Sequence, residues 1–377
     1  MPIEHYLGLM SGTSLDGVDG VLIAIDESKY SILGKASLPF PPPLRDELLA
    51  LQHPCHHELH REALAANALA HLYANCVVEI LAHTPIAAHQ VRALGAHGQT
   101  IRHQPKQYDG IGYTRQTLAP ALLAELTGID VIADFRSRDV AAHGQGAPLV
   151  PAFHQDAFGS PQEARVICNI GGIANLSILP ATGQSQTNTV IGFDCGPGNV
   201  LLDYWANQHL GIAYDSGGAW AASGTLHEAL LATLMQEDFL QQPPPKSTGR
   251  DLFNADWLAR RCQTLNLSAI APQDVQTTLT YYTAQCIAQA IMRHTQSTRT
   301  LIVCGGGALN HFLMKLLETM LSGWQVFLTD DFGIPVKDVE ACAFAWLAWR
   351  FMHGLPGNLP NVTGACGPRI LGAHYPK

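Results

Sequence analysis

The most informative segment of this chain is Leu7-Gly8-Leu9-Met10-Ser11-Gly12-Thr13-Ser14-Leu15-Asp16-Gly17-Val18-Asp19-Gly20. An apolar run leads into hydroxyls, glycines and two carboxylates, and a second apolar run follows at 21–25. The pattern predicts a β-hairpin whose glycines, at 12 and 17, let the backbone approach a ligand closely. Such a turn suits the phosphates of a nucleotide, and Asp16 and Asp19 suit a hydrated Mg²⁺ beside them. An ordinary hairpin with Gly and Asp turn chemistry would show the same signals.

Composition bounds the class of protein. The 377 residues suffice for two domains, and 47% of them are hydrophobic, so a substantial core is expected. A net charge of −9 argues against a nucleic-acid partner, which usually needs a basic face. The sequence has no signal-peptide pattern and no apolar run long enough for a membrane span. Nine scattered cysteines without a Cys-x-x-Cys pair fit reduced thiols, so we expect a cytoplasmic location.

The order of the elements predicts an α/β architecture that occurs twice. Strands at 5–12, 19–26 and 30–37 precede a helix at 57–83, and a strand follows at 92–96. The second half restarts at 165–177 with a strand, a glycine turn and another strand. Two such halves predict a duplicated core with a ligand cleft between the lobes. The expected boundaries are 1–135 for the N-terminal lobe, joined by the tail at 355–377, and 136–354 for the C-terminal lobe.

Further glycine turns follow strands in the second half. They are Gly171-Gly172, Gly196-Pro197-Gly198 and Gly305-Gly306-Gly307. Backbone N–H groups at such corners bind phosphate, although glycine at a strand–helix corner is common. We expect the turns to converge on one nucleotide. The candidate nucleotide-binding residues are Gly12, Thr13, Ser14, Leu15, Asp16, Gly17, Val18, Asp19, Gly171, Gly172, Gly196, Gly198, Gly305, Gly306 and Gly307, with Asp16 and Asp19 as candidate Mg²⁺ ligands.

Asp194 is the candidate catalytic residue. It stands where the apolar strand 190–194 meets a glycine turn, a position well placed for chemistry. The alternative is a capping role for the helix that begins near 199, although the spacing is long for a cap.

A second polar set comprises His97, Gln99, Arg136 and Glu340. The Arg136 guanidinium is suited to a substrate carboxylate. Its alternative is an ion pair with Asp134 or Asp139, and Glu340 would equally suit the first turn of an apolar helix. The cluster His53, Cys55, His56, His57, Glu58 and His60 contains zinc-type ligands, but its spacing matches no metal motif.

The motifs together resemble a known family. They are Gly8–Asp19, His97-Gly-Gln-Thr100, Asp134-Phe-Arg136, Gly144-Gln-Gly-Ala-Pro148, Asn169–Leu176, Phe193–Asn199, Lys246-Ser-Thr-Gly-Arg250 and Cys304–Gly307. In order and content this set resembles the anhydro-N-acetylmuramic acid kinases, from about residue 7 to 372. The opening hairpin is highly specific and the triple glycine is not. Two departures stand out: His143 where the resemblance leads us to expect a glycine, and Cys195 where we expect a threonine.

The resemblance implies the sugar kinase/Hsp70/actin fold, with two duplicated ribonuclease-H-like lobes and an active-site cleft between them. It implies that ATP, with Mg²⁺, phosphorylates O6 of 1,6-anhydro-N-acetylmuramic acid while water opens the anhydro ring. The products would be N-acetylmuramic acid 6-phosphate and ADP, in bacterial peptidoglycan recycling. Asp194 would be the base, and Arg136 would hold the lactyl carboxylate. His97, Gln99 and Glu340 would contact the sugar, and the protein would be a homodimer. The alternatives are a kinase for another sugar without ring opening and a protein-binding nucleotide switch.

Overall fold

We describe a computed structural model of the chain, for residues 3–12, 15–26, 29–183, 189–263, 265, 267–295 and 298–377. The chain divides into two compact units, Met1–Ala157 with Asp338–Lys377, and Phe158–Lys337. These boundaries differ from the expected ones, because 136–157 and 338–354 belong to the first unit. The reason is long-range packing by a helix near the C-terminus, described below.

Within the described part of the first unit, one mixed sheet has the order β13-β7-β4-β1-β2-β3. Its strands are β1 (Glu4–Met10), β2 (Gly17–Asp26), β3 (Lys29–Pro39), β4 (Val91–Ala96), β7 (Val131–Ala133) and β13 (Ala373–Tyr375). Strands β1, β2 and β3 are consecutive antiparallel neighbours, whereas β4 pairs parallel with both β1 and β7. A separate antiparallel hairpin, which the sequence did not predict, consists of β5 (Gln99–Pro105) and β6 (Gly112–Thr117).

The described part of the second unit contains a sheet of order β10-β9-β8-β11-β12. Its strands are β8 (Arg165–Ile170), β9 (Ile173–Leu179), β10 (Ile191–Pro197), β11 (Thr300–Cys304) and β12 (Gln325–Leu328). Strands β8, β9 and β10 are antiparallel neighbours, and β11 pairs parallel with β8 and β12.

The two sheets therefore have the same topology. In each, a three-stranded antiparallel meander is extended by two parallel strands on the side of its first strand. Only β13 has no counterpart in the described second unit. The prediction of an α/β fold with two duplicated ribonuclease-H-like lobes is confirmed.

Helices cover these sheets. In the first unit they are α1 (Pro42–Ala50), α2 (Glu58–Ala82), α3 (Pro120–Thr127), α4 (Ser137–Ala141), α5 (Val150–Phe158), α11 (Val339–Met352) and α12 (Pro360–Thr363). In the second they are α6 (Val200–Leu210), α7 (Glu228–Leu234), α8 (Ala255–Arg261), α9 (Pro272–His294) and α10 (His311–Met320). Among the described residues, α2 alone has the length and hydropathy of a membrane span, and half of the 18-residue window that gives this result is buried. Its buried face, including Leu69, Tyr73 and Ile80, packs into the core of the first unit.

Two glycines explain why α11 belongs to the first unit. A Cβ at Gly8 of β1 would overlap the carbonyl oxygen of Ala341, and one at Gly95 of β4 would overlap that of Phe344. The helix therefore rests directly on the backbones of two adjacent parallel strands, a close approach that only glycine permits. Glu340 lies in the first turn of α11, where the charges of Arg136 and Asp19 act on it.

Candidate active site

Buried hydrogen bonds of Ser11 stabilise the turn between β1 and β2. The Ser11 hydroxyl lies 2.9 Å from the Tyr73 hydroxyl and donates to the Gly98 carbonyl over 3.0 Å. Leu15 donates its N–H to the Gly12 carbonyl over 3.2 Å, which closes the turn. Thr13 and Ser14, two of the predicted nucleotide-binding residues, lie outside the described residues.

The structure revises the reason for three predicted residues of this turn. A Cβ at Gly17 would overlap the carbonyl oxygen of Leu38, so this glycine permits close pairing with β3. The side chains of Leu15 and Val18 are buried in the core and leave only their backbones for a ligand. Asp16 and Asp19, by contrast, are exposed.

His97 and Arg136 form one hydrogen-bonded unit. The Arg136 Nε and one terminal nitrogen donate to His97 Nε2 over 3.0 and 2.9 Å. The other ring nitrogen, Nδ1, lies 3.3 Å from the Ser11 carbonyl oxygen. Burial and the charge of Arg136 hold the pKa of His97 well below its usual value, so the ring is neutral. An Nδ1–H donor and an Nε2 acceptor are the tautomer that satisfies both contacts.

The remaining face of Arg136 is suited to a carboxylate. A guanidinium has five N–H donors. One side of it is taken by His97, and the other terminal nitrogen donates to the Gly146 carbonyl over 2.8 Å. One N–H on each terminal nitrogen is left, with no partner among the described residues, and these two form the forked end that binds carboxylates. Burial lowers the pKa of Arg136 to about 10, so it stays charged at neutral pH.

The alternative ion pairs of Arg136 are not formed within the described chain. Asp134 instead accepts from the Ser137 hydroxyl over 2.5 Å. Asp139 is fully buried and accepts from the Gly146 N–H, the Asn358 amide and the Thr363 hydroxyl. Asp139 therefore fixes the loop that carries the Gly146 carbonyl, which in turn fixes Arg136.

Glu340 and Gln99 lie in the same unit. Burial and the charge of Asp19 raise the pKa of Glu340, and Arg136 opposes the shift. Gln99 is fully buried and donates its amide N–H to the Gly12 carbonyl over 3.1 Å, while its side-chain oxygen has no partner among the described residues. The predicted sugar contacts of Gln99 and His97 stay predictions, and of the two side chains Gln99 keeps an oxygen without a described partner for such a contact.

Asp194 lies near the end of β10, where a bulge follows it. One carboxylate oxygen, Oδ2, accepts the Thr248 N–H over 2.9 Å, and the Asp194 N–H donates to the Lys246 carbonyl over 3.1 Å. Burial raises the pKa of Asp194 to about 6, against the lowering effect of the Thr248 N–H and the Lys246 charge. A carboxylate with such a pKa is well suited to accept a proton near neutral pH. No helix-capping contact of Asp194 appears among the described hydrogen bonds.

The glycines in the turns of the second unit fall into two groups, those at which an added Cβ would meet neighbouring atoms and those at which it would enter open space. A Cβ at Gly198 would overlap the Gly171 carbonyl oxygen, one at Gly196 would lie 2.9 Å from Cys286 Cβ, and one at Gly307 would overlap Ile170. A Cβ at Gly305 would overlap Asn169 Oδ1. At these four predicted phosphate-binding positions, close packing by itself explains why the residue is glycine.

Gly171, Gly172 and Gly306 are the open ones. The nearest atoms to an added Cβ lie at 3.6, 4.0 and 3.8 Å. The N–H groups of Gly198 and Asn199 donate to the carbonyls of Gly172 and Gly171 over 2.9 and 2.8 Å. The Gly198 N–H therefore already has a partner, and its expected contact with phosphate stays a prediction.

The segment Lys246–Arg250 contributes residues that our sequence-based site omitted. Lys246 donates to the carbonyls of Phe239 and Leu240 over 2.9 and 3.3 Å, which anchors the segment. Thr248 orients Asp194, and the Arg250 guanidinium lies 4.0 Å from the Cβ position of Gly172. The presence of Lys246–Arg250 among the motifs that resemble the family was the signal that could have placed this segment in the predicted site.

Two other features of the sequence receive an explanation. His143 has a positive φ of 64°, the conformation that glycine adopts freely, which accounts for the glycine expected there. For the cluster at 53–60, the structure brings together no group of three or more candidate metal ligands within the described chain.

Comparison with known proteins places the chain in a family. The anhydro-N-acetylmuramic acid kinase family model matches residues 4–377. The kinase of that name from Cupriavidus metallidurans is 56% identical over 374 residues, covering 99% of this chain and 98% of that protein. The one from Ralstonia nicotianae is 57% identical over 373 residues, covering 99% and 97%.

Among solved structures, component A of the (R)-2-hydroxyglutaryl-CoA dehydratase of Acidaminococcus fermentans matches with a TM-score of 0.49 and 13% identity, covering 91% of this chain and 96% of that one. A likeness at that level supports no argument about function. The family model and the curated relatives both extend over nearly all of the sequence. This chain belongs to the anhydro-N-acetylmuramic acid kinase family.

Proposed function

We propose that this protein uses ATP to phosphorylate 1,6-anhydro-N-acetylmuramic acid and opens its anhydro ring with water. The C1–O6 bond breaks, the water oxygen bonds to C1, and O6 takes the γ-phosphoryl group. The products are N-acetylmuramic acid 6-phosphate and ADP. The observation that supports this most strongly is the family match over residues 4–377, together with relatives that cover 99% of the chain.

Asp194 is proposed as the general base. The Thr248 N–H holds Oδ2 and so directs the other carboxylate oxygen, for which the described residues offer no partner. That oxygen would take a proton from the water that attacks C1. General-base assistance of this kind contributes about 10²–10⁴-fold to the rate. A pKa of about 6 leaves the group mostly ionised at neutral pH, yet basic enough to accept the proton.

Arg136 is proposed to bind the lactyl carboxylate of the sugar. Its forked end has two N–H donors left over, and His97 and the Gly146 carbonyl fix its plane. His97 then acts mainly through Arg136 as a positioning residue, while Glu340 and Gln99 are proposed to contact hydroxyl or N-acetyl groups.

The nucleotide is proposed to bind at the hairpin of Gly12–Asp19 and at the open turns of Gly171, Gly172 and Gly306. Mg²⁺ prefers one or two carboxylates and otherwise water and phosphate oxygens. The exposed carboxylates of Asp16 and Asp19 fit that donor set. When bound, the ion would neutralise charge on the phosphates. The chain's own contribution is to place carboxylates and N–H groups around them.

The test is an ADP-release assay with the anhydro sugar, followed by mass spectrometry of the product. The proposal requires a product that has gained one phosphoryl group and one water. Free N-acetylmuramic acid serves as the comparison substrate. Faster turnover of the free sugar, or a product without added water, would favour an ordinary sugar kinase. ATP hydrolysis that no sugar stimulates would favour a nucleotide switch.

We also propose a cytoplasmic homodimer that works in peptidoglycan recycling. The reduced-thiol pattern of nine scattered cysteines supports the location. Sedimentation equilibrium of the full chain tests the oligomeric state, and a monomer at micromolar concentration would contradict it.

A further inference from the structure

The Arg250 guanidinium is exposed and has no hydrogen-bond or ion-pair partner within the described part of the chain. Three other arginines of the second unit are engaged, since Arg165 pairs with Glu163, Arg261 pairs with Glu237, and Arg293 donates to the Leu240 carbonyl. Arg260 is exposed like Arg250 but is not among the residues near the Gly172 turn. An arginine loses side-chain entropy when it is held over a turn. No described protein group offsets that cost for Arg250. An anionic ligand bound by the guanidinium would offset it.

The turn beneath Arg250 is open. The guanidinium lies 4.0 Å from the Cβ position of Gly172, and Val200 Cβ lies at the same distance from it. The carbonyls of Gly171 and Gly172 are engaged by N–H groups of the following turn, so they do not repel an anion from the open face as free acceptors would. A planar cation above a glycine turn matches the oxygens of a phosphate.

The same short segment also contacts the proposed base. Two residues before Arg250, the Thr248 N–H donates to Asp194 Oδ2, and Lys246 anchors the start of the segment on the carbonyls of Phe239 and Leu240. The end that carries Arg250 has no comparable anchor for its side chain. A ligand bound by Arg250 would supply the second anchor.

We propose that Arg250 binds a phosphate of the nucleoside triphosphate and thereby gives the segment a second anchor, so that the Thr248 N–H is held more firmly on Asp194 when the nucleotide is bound. This inference rests on the proposed function for the identity of the reaction, but its binding part does not depend on the sugar. Arg250 would contact the ligand, whereas the backbone of Thr248 acts on the reaction through Asp194.

The first experiment measures nucleotide binding by calorimetry with ATP, ADP and adenosine. Arg250→Ala should weaken ATP binding about ten- to a hundredfold, the loss expected for a hydrogen bond to a charged group, and leave adenosine binding unchanged. Arg250→Lys should recover part of the affinity, because charge is kept and the fork is lost. Arg260→Ala is the matched control, since Arg260 is also exposed and lies on α8 of the same unit. Equal ATP affinity in Arg250→Ala and wild type overturns the proposal, as does an equal loss for adenosine.

The second experiment tests the link to Asp194 through the pH dependence of kcat at saturating ATP. In Arg250→Ala the acid limb should move to higher pH, because the Thr248 N–H that stabilises the carboxylate is held less firmly. An unchanged limb with lowered kcat overturns the link. If wild type binds ATP in an Arg250-dependent manner but does not turn over the anhydro sugar, the proposed function fails while the phosphate contact stands.

Discussion

Replacing Asp194 by asparagine is expected to abolish turnover and to stabilise the protein. Asparagine keeps an oxygen that can accept the Thr248 N–H but has no basicity. Loss of general-base assistance should lower kcat by about 10²–10⁴-fold. Binding of ATP should be unchanged, because the substitution leaves the glycine turns intact.

The gain in stability follows from the pKa of Asp194. Burial raises it from 3.8 to about 6, so the folded state binds the proton more tightly than the unfolded state does. A raised carboxyl pKa therefore costs stability as pH rises from about 4 to 6, and the cost is full above that range. About two pKa units correspond to roughly 3 kcal/mol, and partial exposure of the side chain reduces this to about 1–3 kcal/mol. Asparagine carries no charge and avoids the cost.

The assay is calorimetric unfolding of wild type and Asp194→Asn at pH 8 and pH 5, beside kcat measurements. The variant should melt a few degrees higher at pH 8, at about 2–4 °C per kcal/mol for a domain of this size. The difference should be about half as large at pH 5. Asp238→Asn, which removes an exposed carboxylate from the same unit, is the control. A variant that keeps more than about a tenth of the wild-type rate would refute the base assignment. An unchanged melting temperature at pH 8 would refute the burial argument.

Three further expectations concern ligand affinity and stability. Gly172→Ala should fold normally but bind ATP more weakly, because the nearest protein atoms lie 4.0 Å from its Cβ and the methyl group enters the open face of the turn. In Gly198→Ala the new Cβ overlaps a carbonyl oxygen, so the free energy of unfolding should fall by about 1–3 kcal/mol in urea titrations. Burial lowers the pKa of His154 to about 3, so the unfolded state binds a proton more tightly than the folded state does. The free energy of unfolding of the wild type should therefore fall by about 2 kcal/mol between pH 6.5 and pH 5, and urea titrations of His154→Gln should not show that fall. His143→Gly should raise the free energy of unfolding by up to about 1 kcal/mol through relief of the positive φ, and equal stability would contradict this.

Local patterns were enough to predict the duplicated cores. The strands expected at 5–12, 19–26 and 30–37 are Glu4–Met10, Gly17–Asp26 and Lys29–Pro39, because apolar runs bounded by turn residues report strands directly. The position of Asp194 near a strand end was predicted for the same reason.

Contacts between distant parts of the chain were not predictable in this way. Gly8 was part of a motif, but its role in accepting the backbone of α11 depends on a helix near the other end of the chain. That contact moves 338–354 into the first unit and so displaces the expected boundary. Likewise, the hydrogen bond of the Gly198 N–H to the Gly172 carbonyl needs the turn between β10 and α6 to meet the turn between β8 and β9, which a single sequence does not encode locally.

The duplication also shows how equivalent corners acquire different chemistry. Strands β4 and β11 hold the same place in their sheets, each parallel to the first strand of the meander. After β11 come Gly305 and Gly306, and the second of these leaves open space above the backbone. After β4 comes His97, whose ring connects the Ser11 carbonyl to Arg136. A corner without side chains leaves room for a phosphate, whereas a corner with a neutral, buried histidine fixes a cation. The difference between these two corners follows from substitutions after the strand, since the strand pairing itself is the same.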